Sequence, residues 1–382
     1  MNPDNMQSEP IAVCGAGPAG LAAALTIAKQ DRQAVVYERH ADVGHRFHGD
    51  FQGIENWTSS GDVLEALAAL GIEATFEYTP FREVVLYDPD GREYSYRASD
   101  PFFYVVRRGA GAGTLDNALK EQALSLGVPI HFNTPCSHLP NGGIVAQGPH
   151  RADAIAVGYV FETEQADGAF GVLSERLAPK AYAYLLIHAG RGTLATCLFD
   201  DFHNERHYLE RTVAFFHDRV GVVMKNARRF GGSGNFLVPR TACKGSILYA
   251  GETAGFQDFF AGFGMRYAMI SGHLAARALL TRRPQEYDNL WQRHFGRLLR
   301  ASVVNRYLYT MLGDAGYRWF ARGLKRATDP RARLMSLYAP SFWKASIYPI
   351  AHRAVVRRLR VTCVMEGCTC TWCRCQRATV AN

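Results

Sequence analysis

Short apolar runs and helical spacings alternate at the start of the chain. Ile11–Cys14 is a compact apolar run of the kind buried in a parallel sheet, Leu21–Lys29 is an Ala-rich helical stretch, and Ala34–Tyr37 is a second buried strand. The order returns far downstream, where Ser246–Ala250 reads as a strand and the residues from Met265 to about Leu280 as a long helix. Between these units, Thr114–Leu126 has helical spacing with Thr114 as its N-cap. Val84–Tyr87 and Glu93–Tyr96 flank Asp88-Pro89-Asp90-Gly91, a strong hairpin signal. Residues 181–200 read as two more strands and Asn204–Arg219 as a helix. Helical apolar spacing then dominates, over Tyr287–Leu299 and Ser302–Leu312.

The first strand–helix–strand unit carries chemistry. Gly15-Ala16-Gly17-Pro18-Ala19-Gly20 joins its first strand to its helix, and Glu38-Arg39 ends its second strand. In that context the glycines differ in purpose. Gly15 permits a tight turn, Gly17 lets backbone approach a pyrophosphate, and Gly20 lets helix and strand pack closely. The helix N-terminus offers free N–H groups to phosphate. Glu38 suits ribose hydroxyls and disfavours a 2′-phosphate, so FAD or NAD fits this site better than NADP.

The second unit favours FAD. Gly251-Glu252-Thr253-Ala254-Gly255 follows its strand, and Phe259-Phe260-Ala261-Gly262-Phe263-Gly264-Met265 opens its helix. An NAD dehydrogenase has no need of a second strand–acid–glycine–helix device, whereas an extended FAD needs contacts for its ribityl and isoalloxazine ends. Here the sequence resembles flavoproteins related to geranylgeranyl reductases and p-hydroxybenzoate hydroxylase-type monooxygenases, whose downstream pattern is G-D-A-A-G-x-x-x-P-x-x-G-x-G. The chain matches it at Gly251, Ala254, Gly255, Gly262 and Gly264, with Glu252 in place of Asp and Phe259 in place of Pro. The resemblance implies that Glu252 contacts the ribityl or pyrophosphate portion and that Gly262, Phe263, Gly264 and Met265 lie by the flavin N1–C2=O edge. It also implies an Arg facing the cofactor before the Thr114 helix. Arg108 is the choice, with Arg107 as the alternative and a merely solvated basic pair as the bland reading.

The resemblance covers roughly residues 11–165 and 236–281, and it thins elsewhere. Ala156-Val157-Gly158-Tyr159 stands where the monooxygenases carry Asp-Gly, and Tyr182-Ala183-Tyr184-Leu185 only faintly echoes the aromatic-x-Trp-x-Phe-Pro pattern of the reductases. The polar, aromatic stretch Gly44–Asp50 is a candidate lining for the pocket, with His48 and Asp50 as candidates for proton transfer; no catalytic acid–base pair stands out.

The expected architecture is therefore α/β. A Rossmann-type FAD-binding domain with a parallel sheet is built from residues 1–80, 98–165 and 236–281, and an antiparallel-sheet substrate domain from 81–97 and 166–235. A basic helical region spans 282–360 and a Cys-rich tail 361–382. The expected activity is hydride exchange between flavin and a hydrophobic, isoprenoid or lipid-like, organic substrate. The alternatives are an NAD(P)H-dependent monooxygenase and a non-catalytic FAD-binding or membrane-docking protein. The reductant would be NAD(P)H or an external electron donor.

Charge and cysteine placement add to this picture. The net charge is +8, but residues 282–360 hold 17 Lys/Arg against 4 Asp/Glu, which leaves residues 1–281 acidic. With Trp291, Trp319, Phe320, Phe342 and Trp343 interspersed, the basic region suits either a helical cap with a solvated face or peripheral contact with a membrane. Nucleic-acid binding fits poorly, since no recognised motif accompanies the charge. Cys14, Cys136, Cys197 and Cys243 are scattered and read as isolated structural thiols. Cys368, Cys370, Cys373 and Cys375, with Cys363 as a further candidate, crowd the tail. They are candidate ligands for zinc or an iron–sulfur cluster, a redox dithiol, or an unliganded tail. No apolar stretch of about 18 residues suggests a membrane span, and the polar Met1–Pro10 is unlike a signal peptide. A cytoplasmic setting, with peripheral contact at a membrane's inner face as an option, is the expectation.

Overall fold

The computed structural model describes residues 9–58, 61–136, 138–359 and Trp372. Its first half runs β1 (Ile11–Cys14), α1 (Pro18–Ala28), β2 (Ala34–Tyr37), β3 (Phe51–Glu55), α2 (Val63–Ala69), β4 (Tyr78–Phe81), β5 (Glu83–Tyr87), β6 (Glu93–Arg97), β7 (Phe103–Arg107), α3 (Leu115–Ser125), β8 (Ile130–His131), β9 (Gly143–Val145) and β10 (Ala154–Glu162). Then come β11 (Gly168–Val172), β12 (Ala183–His188), β13 (Arg191–Leu198), α4 (Glu205–Val220), β14 (Lys225–Gly234), β15 (Cys243–Lys244), β16 (Ile247–Tyr249), α5 (Met265–Leu280), α6 (Tyr287–Trp291), α7 (Arg297–Lys325), α8 (Pro330–Tyr338) and α9 (Phe342–Leu359).

The strands β15-β16-β9-β1-β2-β8 form one sheet. It is parallel from β16 to β8, because each neighbour is reached by a crossover rather than a hairpin. Helix α1 packs against both α3 and α5. The apolar β1 and β2 and the Ala-rich α1 supply much of the surrounding core, including Val13, Leu21, Leu25 and Val36, with Leu274 added from α5. Helix α1 begins at Pro18, three residues before its expected start; proline at a first helical position gives up only an N–H that would be unpaired there.

A second sheet, β14-β10-β13-β12-β11-β5-β6, is antiparallel except at β11–β5. The expected hairpin is its edge pair β5–β6, and α4 covers part of it, burying Leu209 and Phe216 against Ile155 and Leu194. Strand β10 belongs to this sheet, although the expected nucleotide-binding segment runs to residue 165. Its eight-residue pairing with β13 fixes it there. A third sheet, β3-β7-β4, is antiparallel. The two expected C-terminal helices are one continuous run, in which a π turn at Gln292–Gly296 joins α6 to α7. Helix α7 kinks at Gly313, whose φ of 50° leaves the helical region. Cys14 and Cys136, expected as isolated thiols, are joined in a disulfide with Cα atoms 5.5 Å apart. No helix among the described residues is long and apolar enough to cross a membrane.

Candidate functional site

The sheets enclose a cavity of about 840 Å³ with two chemically distinct parts. The first is polar and lies at the carboxyl ends of β1 and β2, where parallel α/β sheets bind ligands. Gly17, Pro18, Ala19, Glu38 and Arg39 line it, together with His45, Arg46 and Arg108. The second is walled by Tyr184 and Leu186 of β12, by Tyr182 just before it, and by Phe260, Phe320, Leu324, Leu334 and Tyr338 from the segments that follow.

The glycines at the polar end divide by role. A Cβ on Gly15, whose φ is +107°, would lie 2.3 Å from the Ala146 carbonyl oxygen, and one on Gly20 would lie 1.9 Å from that of Gly15. Neither glycine lines the cavity; both are demanded by the backbone packed around them. Gly17 differs. Its φ of −80° suits any residue, no protein atom lies within 4 Å of its would-be Cβ, and it faces the cavity. The cradle is kept open toward the cavity. Helix α1, whose N-cap is Gly17, has no side-chain cap there, and neither has α5, whose N-cap is Gly264. Both helix N-termini, with unpaired N–H groups and positive dipole ends, therefore open on the same space. The tight fit of α1 on α5 brings them together: a Cβ on Gly272 would meet the Ala19 carbonyl oxygen at 1.9 Å.

Glu38 directly follows β2 and accepts hydrogen bonds from the N–H groups of Ala16 (2.8 Å) and His40 (2.9 Å). These hold its carboxylate across the glycine turn. Glu252 is paired with Arg46 at 2.7 Å, and Arg46 also donates to the Ser233 carbonyl. The arginine expected before α3 resolves clearly in position. Arg108 is buried, bonds Asp116 through two nitrogens at 2.8 Å and lies over the Phe47 ring, whereas Arg107 pairs with Glu77 away from the cavity. Gly251 also stands outside the lining, with its φ at +60° and its would-be Cβ 2.9 Å from Ala19. Glu252, Gly262, Phe263, Gly264 and Met265 all line the cavity.

His48 and Asp50 do not line it. Asp50 is fully buried and accepts from the His48 N–H and the Gln52 side chain, so it anchors the loop. From the same stretch, His45, Arg46 and Phe47 do reach the cavity.

Sequence reasoning missed Asp258. It is buried at the base of the Phe259–Gly264 turn, accepts from the Ala261 N–H at 2.6 Å, and leaves its second oxygen without a partner. Burial pushes its carboxyl up to about 7; the Glu55 carboxylate adds to the rise, while the Ala261 bond and Arg306 oppose it. Buried Arg306 ties the same turn to α7 by donating to the carbonyls of Phe259 and Phe260, and it also donates to the Lys180 carbonyl before β12. An isolated Asp between Gln257 and Phe259 has no sequence context that marks it as buried. Burial also raises the Tyr182 and Tyr184 hydroxyls well above their ordinary range and the Cys197 thiol to about 12, so the inner wall is uncharged at neutral pH.

The candidate metal ligands Cys363, Cys368, Cys370, Cys373 and Cys375 lie outside the described residues. Among the described residues, no cluster of His, Cys, Asp or Glu could hold a metal ion. Trp372 lines the cavity, lies against Gly231 of β14 and donates its indole N–H to Glu205 at 2.6 Å.

Comparison with known proteins agrees with this geometry. The profile of an NAD(P)-binding Rossmann-like domain matches residues 13–54. No curated protein sequence matches the chain significantly. Among solved structures, a geranylgeranyl bacteriochlorophyll reductase-like protein from Thermoplasma acidophilum superposes with a TM-score of 0.68 at 16% identity, over 91% of this chain and 98% of its own. The flavin-dependent brominase Bmp2 gives 0.61 at 16% identity, over 91% and 98%. A 2-methyl-3-hydroxypyridine-5-carboxylic acid oxygenase gives 0.58 at 16%, over 87% and 98%. Nearly the whole chain thus shares the fold of these proteins, with a Rossmann-like unit at its N-terminus.

Proposed function

We propose that the chain is an FAD-dependent oxidoreductase in which the flavin exchanges hydride with a hydrophobic organic substrate, as a reductase or dehydrogenase. The carrying observation is the single cavity that joins an open glycine cradle, flanked by two uncapped helix N-termini, to an aromatic inner chamber. Gly17, Pro18 and Ala19 at the start of α1 would hold the pyrophosphate, Glu38 the adenosine ribose with Arg39 beside it, and Glu252 with Arg46 the ribityl portion. The N-terminus of α5, with Gly262, Phe263, Gly264 and Met265, would face the flavin ring, where positive dipole favours a reduced, anionic flavin. Gly15, Gly20 and Gly251 would act only by letting backbone segments approach. Arg108, held by Asp116, would face the cofactor from the polar part.

When bound, FAD supplies the hydride chemistry. The protein's own residues position the substrate and exclude water. Leu186, Phe260, Phe320, Leu324 and Leu334 give an apolar wall suited to an isoprenoid or lipid chain. Tyr184 offers a neutral hydroxyl as a hydrogen-bond donor to a polar group on the substrate. NAD(P)H or an external carrier would reduce the flavin.

An oxygen-using reaction is the competing reading, favoured by the shared fold of a brominase and an oxygenase. The test is anaerobic: bound flavin is reduced with NAD(P)H or dithionite, and its reoxidation by a geranylgeranyl compound is followed without oxygen. Reoxidation with saturation of the compound supports the proposal. Turnover that needs oxygen supports the competing reading, and a flavin that no donor reduces overturns both.

A further inference from the structure

Helix α9 is packed on one side and bare on the other. Its inner face places Ile347, Ala351, Val355 and Leu359 against Val303 and Val304 of α7 and against Phe236 and Phe259. Lys344 also turns inward and donates to the carbonyls of Leu337 and Ala339, fastening the first turns of α9 to the end of α8. The outward positions recur at helical spacing: Phe342, Ser346, Pro349 and Ile350, then Arg353 and Arg357. Phe342 is 89% exposed, Ile350 62% and neighbouring Trp343 49%. Full exposure of a phenylalanine on a helix whose other face is well packed is wasteful in water, since each such ring removed from solvent gains free energy.

The charge on this face is one-sided. Arg353, Arg357 and Arg358 are exposed, and α9 contains no acidic residue. An apolar, aromatic first half followed by a basic second half matches a bilayer interface: aromatic and aliphatic side chains sink to the headgroup boundary while guanidinium groups meet anionic headgroups. Trp372, the one described residue beyond α9, is seated on β14 rather than on this face. Helix α8, to which Lys344 fastens α9, also supplies Leu334 and Tyr338 to the cavity wall. The docking face and the inner chamber therefore share α8 as a support.

We propose that the outward face of α9 docks the protein peripherally on an anionic lipid bilayer. Docking does not depend on the catalytic reading, and its test needs no substrate. The full-length protein is mixed with vesicles of phosphatidylcholine alone or with added phosphatidylglycerol, and the bound fraction is measured by flotation. Two triple variants are compared, Phe342→Ser/Trp343→Ser/Ile350→Ser and Arg353→Gln/Arg357→Gln/Arg358→Gln, with circular dichroism and thermal melting to confirm that each folds. Both sets change only exposed positions. The wild type is expected to bind the anionic vesicles and to release as salt is raised. Each arginine contributes about five-fold to partitioning, so the arginine variant should lose about 100-fold on anionic vesicles, and the apolar variant should also lose binding to them. Failure of the folded wild type to bind anionic vesicles, or unchanged binding by the folded apolar variant, overturns the proposal. So does a wild-type dimer that the apolar variant dissociates without any vesicle binding, because the face would then be a contact between copies.

Discussion

Gly17→Ala separates a role in the fold from a role in the ligand site. The backbone at Gly17 (φ −80°, ψ 177°) is open to alanine, and nothing lies within 4 Å of the new methyl. The substitution should not harm the apoprotein. By restricting the unfolded chain it should stabilise it by about 0.4–1 kcal/mol, a rise of only about 0.5–1 °C in Tm for a chain of this size. The methyl would, however, occupy the space where a phosphate must approach the N–H groups of α1. Losing one charge-assisted hydrogen bond there costs about 1.5–3 kcal/mol, or about a 10- to 150-fold weaker Kd for FAD. Differential scanning fluorimetry of the apoprotein and titration with FAD, followed by quenching of flavin fluorescence, read the two effects independently. Unchanged FAD affinity would refute the assignment of the cradle, and a fall in apoprotein Tm would show that Gly17 serves the fold.

The neighbouring glycine should behave in the opposite way: Gly20→Ala forces a methyl to 1.9 Å from the Gly15 carbonyl oxygen, so soluble yield and Tm should fall whether or not FAD is present. For Asp258, a folded pKa near 7 against 3.8 unfolded means that its contribution is full below about pH 4 and is lost as pH rises to about 7. The loss is up to about 4 kcal/mol, and Asp258→Asn should flatten that part of the stability–pH curve in urea titrations. Arg108→Met strands the buried Asp116 carboxylate and should destabilise the apoprotein by about 3–5 kcal/mol, measured by chemical denaturation; a change in FAD affinity alone would contradict the buried pair. Ala169→Phe fills the inner chamber, so it should leave the bound flavin spectrum intact while abolishing reoxidation by a geranylgeranyl compound.

How much the sequence discloses depends on whether the determinant is local. The strand–glycine–helix–strand order from Ile11 to Glu38 is read from neighbours in the chain, and β1, α1 and β2 lie where that order puts them. The hairpin at Asp88–Gly91 and the Thr114 cap are equally local, and both are present. Strand β14 is not legible. Its sequence, KNARRFGGSG, has neither alternation nor β-branched residues, and it is held by long pairing with β10. Nor does the sequence disclose the membership of β10, because an apolar run states that a strand is buried and not which sheet buries it. Gly17 and Glu38 are marked by spacing, whereas the aromatic wall, with Asp258 and Arg306 buried beside it, converges from segments far apart in the chain. The Cys14–Cys136 pair spans 122 residues, a separation that leaves no local trace.

The most direct test of the central claim is the visible absorption of the protein purified without added flavin, followed by denaturation and identification of the released cofactor by mass. The account predicts the two visible bands of oxidised flavin and release of FAD at one molecule per chain. Release of NAD(P) in its place, or a folded protein that neither carries FAD nor takes it up, would contradict it.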